Sequence, residues 1–211
     1  MHYVYLHGFA SGPNSTKGRY FRDRFAELGI TLRQPDLNEP VFERLTLSSQ
    51  LACVDRALEG TEGPVTLFGS SLGGLVAVLR AIRDERVVRL VLMAPAFRFI
   101  ERWSAQLGKE TIERWRTTGR LPIYHYGYGR ECPLDVGMLE DARKYDEEQL
   151  LRPVPTLILH GQGDEVVDPQ LSTDFARSRP YVRVQFYDTD HSMGSVVDRL
   201  WQETVDFCQL G

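Results

Sequence analysis

The sequence predicts an α/β protein, a parallel sheet with helices on both faces. Six short apolar runs alternate with amphipathic stretches along the chain, which is the pattern of strand–helix–strand units. The runs are mostly β-branched or aromatic and bounded by Gly or Pro, as strands buried on both faces are. The length of 211 residues, with 42% hydrophobic and 26% charged, suits one soluble domain. At this mass, folding buries about 70% of the unfolded chain's surface, enough for a sizeable core.

Each element follows from local spacing. Residues 3–6 form the first apolar run. Phe21, Phe25 and Leu28 then recur at i, i+4, i+7, the stripe of an amphipathic helix. A weak run covers residues 31–33, and Leu47, Leu51, Val54 and Leu58 continue the helical spacing. Residues 65–68 and 87–93 read as strands, with a helix marked by Leu72, Leu75, Val76 and Leu79 between them. Runs at 156–159 and 182–187 complete the strands, and Val197, Leu200, Trp201 and Val205 mark a last helix. Crossovers between such parallel strands are right-handed.

Residues 97–151 break this rhythm and show no good strand pattern. Ile100, Trp103 and Leu107 suggest one helix, and Met138, Ala142 and Tyr145 another. The stretch 121–129 between them reads as irregular and aromatic. A structureless connection of this length is unusual in a compact domain. The segment is therefore expected to be a small helical cap insertion within a single domain spanning residues 1–211.

Composition excludes several classes of function. A net charge of -4 and the absence of a long Lys/Arg run argue against nucleic acid as a partner. No apolar stretch approaches the roughly 20 residues of a membrane span. The N-terminus enters a strand pattern without a basic leader, so the expected location is cytoplasmic. Cys53, Cys132 and Cys208 are odd in number and far apart, which is no disulfide framework. Cys53 and Cys208 fall on apolar helix positions, and Cys132 precedes Pro133 in an expected loop. No metal-ligand set, nucleotide fingerprint or phosphate loop occurs, so no cofactor is implied.

The strongest chemical signal is Gly69-Ser70-Ser71-Leu72-Gly73, a G-x-S-x-G pattern between a strand and a helix. The glycines allow close backbone approach, and the sharp turn exposes the Ser71 hydroxyl at the sheet's C-terminal edge. A serine hydroxyl needs a base to act as nucleophile. Of five histidines, His191 follows the last strand and precedes the last helix, where a loop at that edge can reach Ser71. Asp164, in the turn after the fifth strand, is the candidate to orient His191 and stabilise its charged form. Asp188 and Asp190 are assigned to capping that loop. The candidate oxyanion hole is the backbone N–H of Leu72, after the nucleophile, and that of Phe9, after His7-Gly8.

Together, residues 5–9, 69–73, 160–167 and 190–191 make the chain resemble the α/β-hydrolase superfamily, over nearly the whole length except the insertion. Within it the chain is similar to small single-domain bacterial serine esterases and acyl-thioesterases. The resemblance implies a minimal six-stranded, all-parallel sheet of order 2-1-3-4-5-6, without the two antiparallel strands that often precede the first. It implies a serine hydrolase that cleaves carboxylic esters or thioesters of small to medium acyl groups through an acyl-enzyme on Ser71, with a small acyl substrate as its partner. The same fold hosts C–C bond hydrolysis, lyase and perhydrolase chemistry, and also non-catalytic ligand-binding proteins. For the substrate pocket the candidates are Trp103, Tyr124, Tyr126 and Met193. The aromatics line an acyl pocket or pack the cap down; Met193 touches substrate or starts the last helix's core face. Ser15 and Thr16 read as helix N-caps, and Lys17 as either a solvated lysine or a partner for a substrate carboxylate.

Overall fold

The computed structural model describes residues 1–147 and 152–211. The last residues of the expected insertion, 148–151, lie outside the described residues. Six parallel strands form the main sheet: β1 (His2–Leu6), β2 (Leu32–Arg33), β3 (Val65–Ser70), β4 (Val87–Met93), β7 (Thr156–Gly161) and β8 (Val182–Tyr187). Their spatial order is β2-β1-β3-β4-β7-β8, which is the expected order once the strands of the insertion are set aside. β1 pairs with β3 so that Leu6 lies opposite Gly69. The loops leaving these two strands therefore emerge side by side. Here the strand order also reverses, and open α/β sheets bind ligands at such a point.

The continuous apolar runs are explained by burial on both faces. Val4, Leu6, Leu67 and Leu92 point into one core cluster, together with α2 (Leu47–Ala57) and α3 (Leu72–Ala81). Tyr3, Tyr5, Phe68, Val91 and Leu159 point into the other, against α1 (Thr16–Glu27) and α7 (Val197–Cys208). Phe21, Phe25, Phe68 and Trp201 meet there through edge and tilted ring contacts, each adding to plain area burial. Ser15 caps α1, its side chain accepting from Gly18 N–H at 3.2 Å. An additional helix, α6 (Gln170–Arg177), has no counterpart in the apolar stripes of the sequence.

Between β4 and β7 the chain carries α4 (Phe99–Thr118), which is interrupted at Gly108, and α5 (Gly137–Ala142). The stretch expected to be irregular is ordered instead. It forms an antiparallel hairpin, β5 (Arg120–His125) and β6 (Arg130–Asp135). Trp115 of α4 is fully buried beneath it and donates from Nε1 to the Leu134 carbonyl at 3.0 Å. Cys132 is correspondingly a buried strand residue rather than a loop residue; it, Cys53 and Cys208 are all free and buried. No helix among the described residues is long and apolar enough to cross a membrane.

Candidate active site

The turn after β3 places Ser71 at the head of α3 with φ +53° and ψ -122°. A non-glycine residue reaches this region only under strain. Ser71 N–H donates to the Met93 carbonyl at 2.9 Å, and Ala96 N–H to the Ser71 carbonyl at 3.0 Å, so β4 and the loop after it hold the turn. The flanking glycines are needed for space. A Cβ on Gly69 would lie 2.4 Å from the Gly73 carbonyl oxygen, and one on Gly73 would lie 2.2 Å from that of Leu6. Their absence lets α3 start directly against the end of β1.

Asp164 and His191 are joined. Asp164 Oδ2 accepts from His191 Nδ1 at 2.7 Å, while its Oδ1 accepts from Val166 and Val167 N–H at 2.9 and 2.8 Å. The bond at Nδ1 leaves Nε2 of His191 as the atom free to take a proton. Asp164 is buried, which alone would raise its pKa. The hydrogen bonds from His160, His191 and Val167 overcome this and hold the carboxyl well below the usual carboxylate range.

His160 was assigned no role from the sequence. Its Nε2 lies 3.1 Å from both Asp164 Oδ2 and the Val167 carbonyl oxygen, and its Nδ1 lies 2.7 Å from Ser172 Oγ. Two acceptors at Nε2 place the proton there, so Nδ1 accepts from the Ser172 hydroxyl. His160 thereby anchors the carboxylate from the side opposite His191. The one available signal is the His-x-x-x-Asp spacing at the end of β7.

The loop after β1, expected to supply one oxyanion donor, is tied by His7. Leu37 N–H donates to His7 Nε2 at 2.9 Å, so the ring proton sits on Nδ1 and is donated to the Gly8 carbonyl at 2.9 Å. Nε2 also lies 3.3 Å from Asp36 Oδ1, but a nitrogen that receives Leu37 N–H has no proton for that carboxylate. A Cβ on Gly8 would approach Ser71 Cβ to 3.2 Å, so this loop lies directly over the serine. The Phe9 peptide follows it, and Leu72 N–H opens α3.

These parts border one half-open cavity of about 1520 Å³, lined among others by Gly8, Phe9, Ser71, His191, Trp103 and Lys17. Ser71 and His191 meet in it without a direct hydrogen bond to each other. Trp103, Tyr124 and Tyr126 also line it. Met193 does not. It is fully buried in the cluster on the α1 and α7 face, because its backbone turns there (φ +55°) to enter α7. Asp190 caps that turn, accepting from Ser192 Oγ at 2.6 Å and Met193 N–H at 3.1 Å.

The sheet order and the strand–turn–helix at Ser71 define an α/β-hydrolase fold. The chain belongs to UPF0227, an uncharacterised protein family whose model matches residues 2–209. No match to a curated protein is found. Among solved structures, the chain is similar to alpha/beta hydrolase domain-containing protein 10 from mouse, with a TM-score of 0.82 and 23% identity, covering 99% of this chain and 89% of that one. It is also similar to Est1E from Butyrivibrio proteoclasticus with ferulic acid bound, with a TM-score of 0.77 and 21% identity, covering 98% and 88%. At these identities the likeness is one of fold.

Proposed function

We propose that the protein is a serine hydrolase acting on carboxylic esters or thioesters. One observation carries the reading: His191, hydrogen-bonded from behind to the buried Asp164, shares a cavity with a serine held in strained backbone at a helix N-terminus. Ser71 Oγ attacks the acyl carbon as its proton passes to His191 Nε2. Asp164 fixes the imidazole and stabilises its charged form. Phe9 and Leu72 N–H groups receive the developing oxyanion, assisted by the dipole of α3. His191 then protonates the leaving group, and water repeats the sequence on the acyl-enzyme.

The insertion acts as a cap on this site. Phe99, Trp103 and Ile123 give its share of the cavity an apolar surface, which favours an apolar acyl or aryl group. The cavity volume leaves room for acyl and leaving groups together.

The test is labelling with a fluorophosphonate, followed by peptide mass spectrometry. A single adduct on Ser71 of the wild type is expected, and none on folded Ser71→Ala. Ester turnover should fall by about three orders of magnitude or more in that variant. Retained turnover by folded Ser71→Ala would overturn the assignment.

A further inference from the structure

Lys17 lies in the first turn of α1 and lines the cavity beside the His191 loop. Its Nζ donates to the His191 carbonyl at 3.3 Å, which is long for a charged donor. Among the described residues this is its one hydrogen bond, so two of the three ammonium hydrogens are unfilled. Asp164 and Asp190 attract it from nearby, but neither pairs with it. The Asp164 oxygens are occupied by His191, His160 and two backbone N–H groups. Asp190 Oδ1 is occupied by Ser192 and Met193.

The placement carries two costs. Burial pushes the Lys17 ammonium down to about 8, against the pull of those carboxylates. A cation in the first turn of a helix also meets the positive end of the dipole, and α1 has no acidic residue there to offset it. A methionine would fill the same space without either cost.

We infer that Lys17 is a specificity residue that receives a carboxylate carried on the leaving-group side of the substrate. The inference rests on the serine-hydrolase reading of Ser71, Asp164 and His191. In that reading His191 must deliver its proton to the leaving atom, so the leaving group lies on the histidine side of Ser71. Lys17 is tethered to that same loop. The cavity lining holds three cations, Lys17, Arg19 and Arg102, against three carboxylates, Asp36, Glu165 and Asp190. A lining without excess positive charge suits one placed ammonium meeting one carboxylate, rather than capture of a polyanion.

The test compares two pairs of esters in the wild type, Lys17→Met and Lys17→Arg, with circular dichroism to establish folding. In the first pair, 4-acetoxybenzoate and 4-acetoxybenzamide, the charge is on the leaving group. In the second, 4-nitrophenyl hemisuccinate and 4-nitrophenyl butyrate, it is on the acyl group. The wild type should favour 4-acetoxybenzoate over the amide in kcat/KM. Lys17→Met should lower that preference roughly tenfold or more, mainly through KM, as expected for a lost charge-assisted hydrogen bond. Lys17→Arg, which keeps the charge, should retain part of it, and the second pair's ratio should not move.

An unchanged first ratio in Lys17→Met would overturn the inference. So would an equal fall on all four esters, which would make Lys17 a support for the His191 loop. A loss confined to the hemisuccinate would put the anion on the acyl side, against the inference. A wild type that forms the Ser71 adduct but hydrolyses none of the four would defeat this inference alone. One that forms no adduct and hydrolyses none would defeat the hydrolase reading as well.

Discussion

At the scale of single residues, the arrangement around Asp164 fixes what an amide would do there. Oδ1 receives two backbone N–H groups, so the oxygen of Asp164→Asn must take that position. Its NH2 then faces His191 Nδ1, which is forced to accept, and the imidazole proton moves to Nε2. Nε2 can no longer serve as the base, and kcat should fall by roughly 10⁴, measured as ester turnover with the fold checked by circular dichroism. His160→Gln should lower kcat less, because one anchor of the carboxylate is lost while the His191 bond remains. The serine, aspartate and histidine were legible in the sequence because each follows a strand whose apolar run marks the sheet edge. The parts of His7 and His160 were not, because they depend on Leu37 and Ser172. Those partners are brought near by the fold and not by spacing along the chain.

At the scale of elements, α3 and the insertion differ in what the sequence showed. The start of α3 is announced by its glycines, and their necessity is steric. Gly73→Ala would drive a Cβ into the Leu6 and His7 carbonyls. It should destabilise the protein by about 3 kcal/mol or more, read from denaturant titration, since overpacking against backbone cannot relax by a rotamer change. The hairpin was hidden because Pro122 and Pro133 stand directly opposite each other in it. Proline ordinarily demotes a strand reading, and a two-stranded ribbon tolerates it at positions whose N–H is not needed in the ladder. The helix α6 escaped notice because it buries only Leu171 and Ser172. Trp115 joins α4 to the hairpin, so Trp115→Ala should cost about 3–5 kcal/mol of unfolding free energy.

At the scale of the whole molecule, acid stability rests chiefly on the three aspartates buried among the described residues, whose shifts share a sign. Arg86 bonds to Asp84 and, with Arg80, holds its pKa down against burial. Burial works against ionisation of Asp141, but bonds from Lys144 and Ser48 prevail and lower it. Asp164 is lowered in the same way. Each folded pKa lies below the unfolded reference of 3.8. Their stabilisation is therefore complete above that value and is lost as pH falls through the folded pKa of each group. Melting temperatures should hold steady on the alkaline side of the carboxylate range and drop progressively below about pH 4. A melting temperature independent of pH between 5 and 2 would contradict this. The network is spread over distinct places: Asp84 follows α3, Asp141 ties α5 to the start of α2, and Asp164 sits in the site.

The positive φ at Ser71 has a consequence for heat resistance. The resting chain holds this side chain in backbone that costs of order 1–3 kcal/mol, and glycine adopts such backbone freely. Ser71→Gly should therefore melt higher than the wild type, by roughly 2–4 °C per kcal/mol released in a domain of this size, while being chemically inert. Selection for durability alone would remove the serine, so on the proposed hydrolase reading its presence marks a point where the protein gives up robustness in exchange for reactivity.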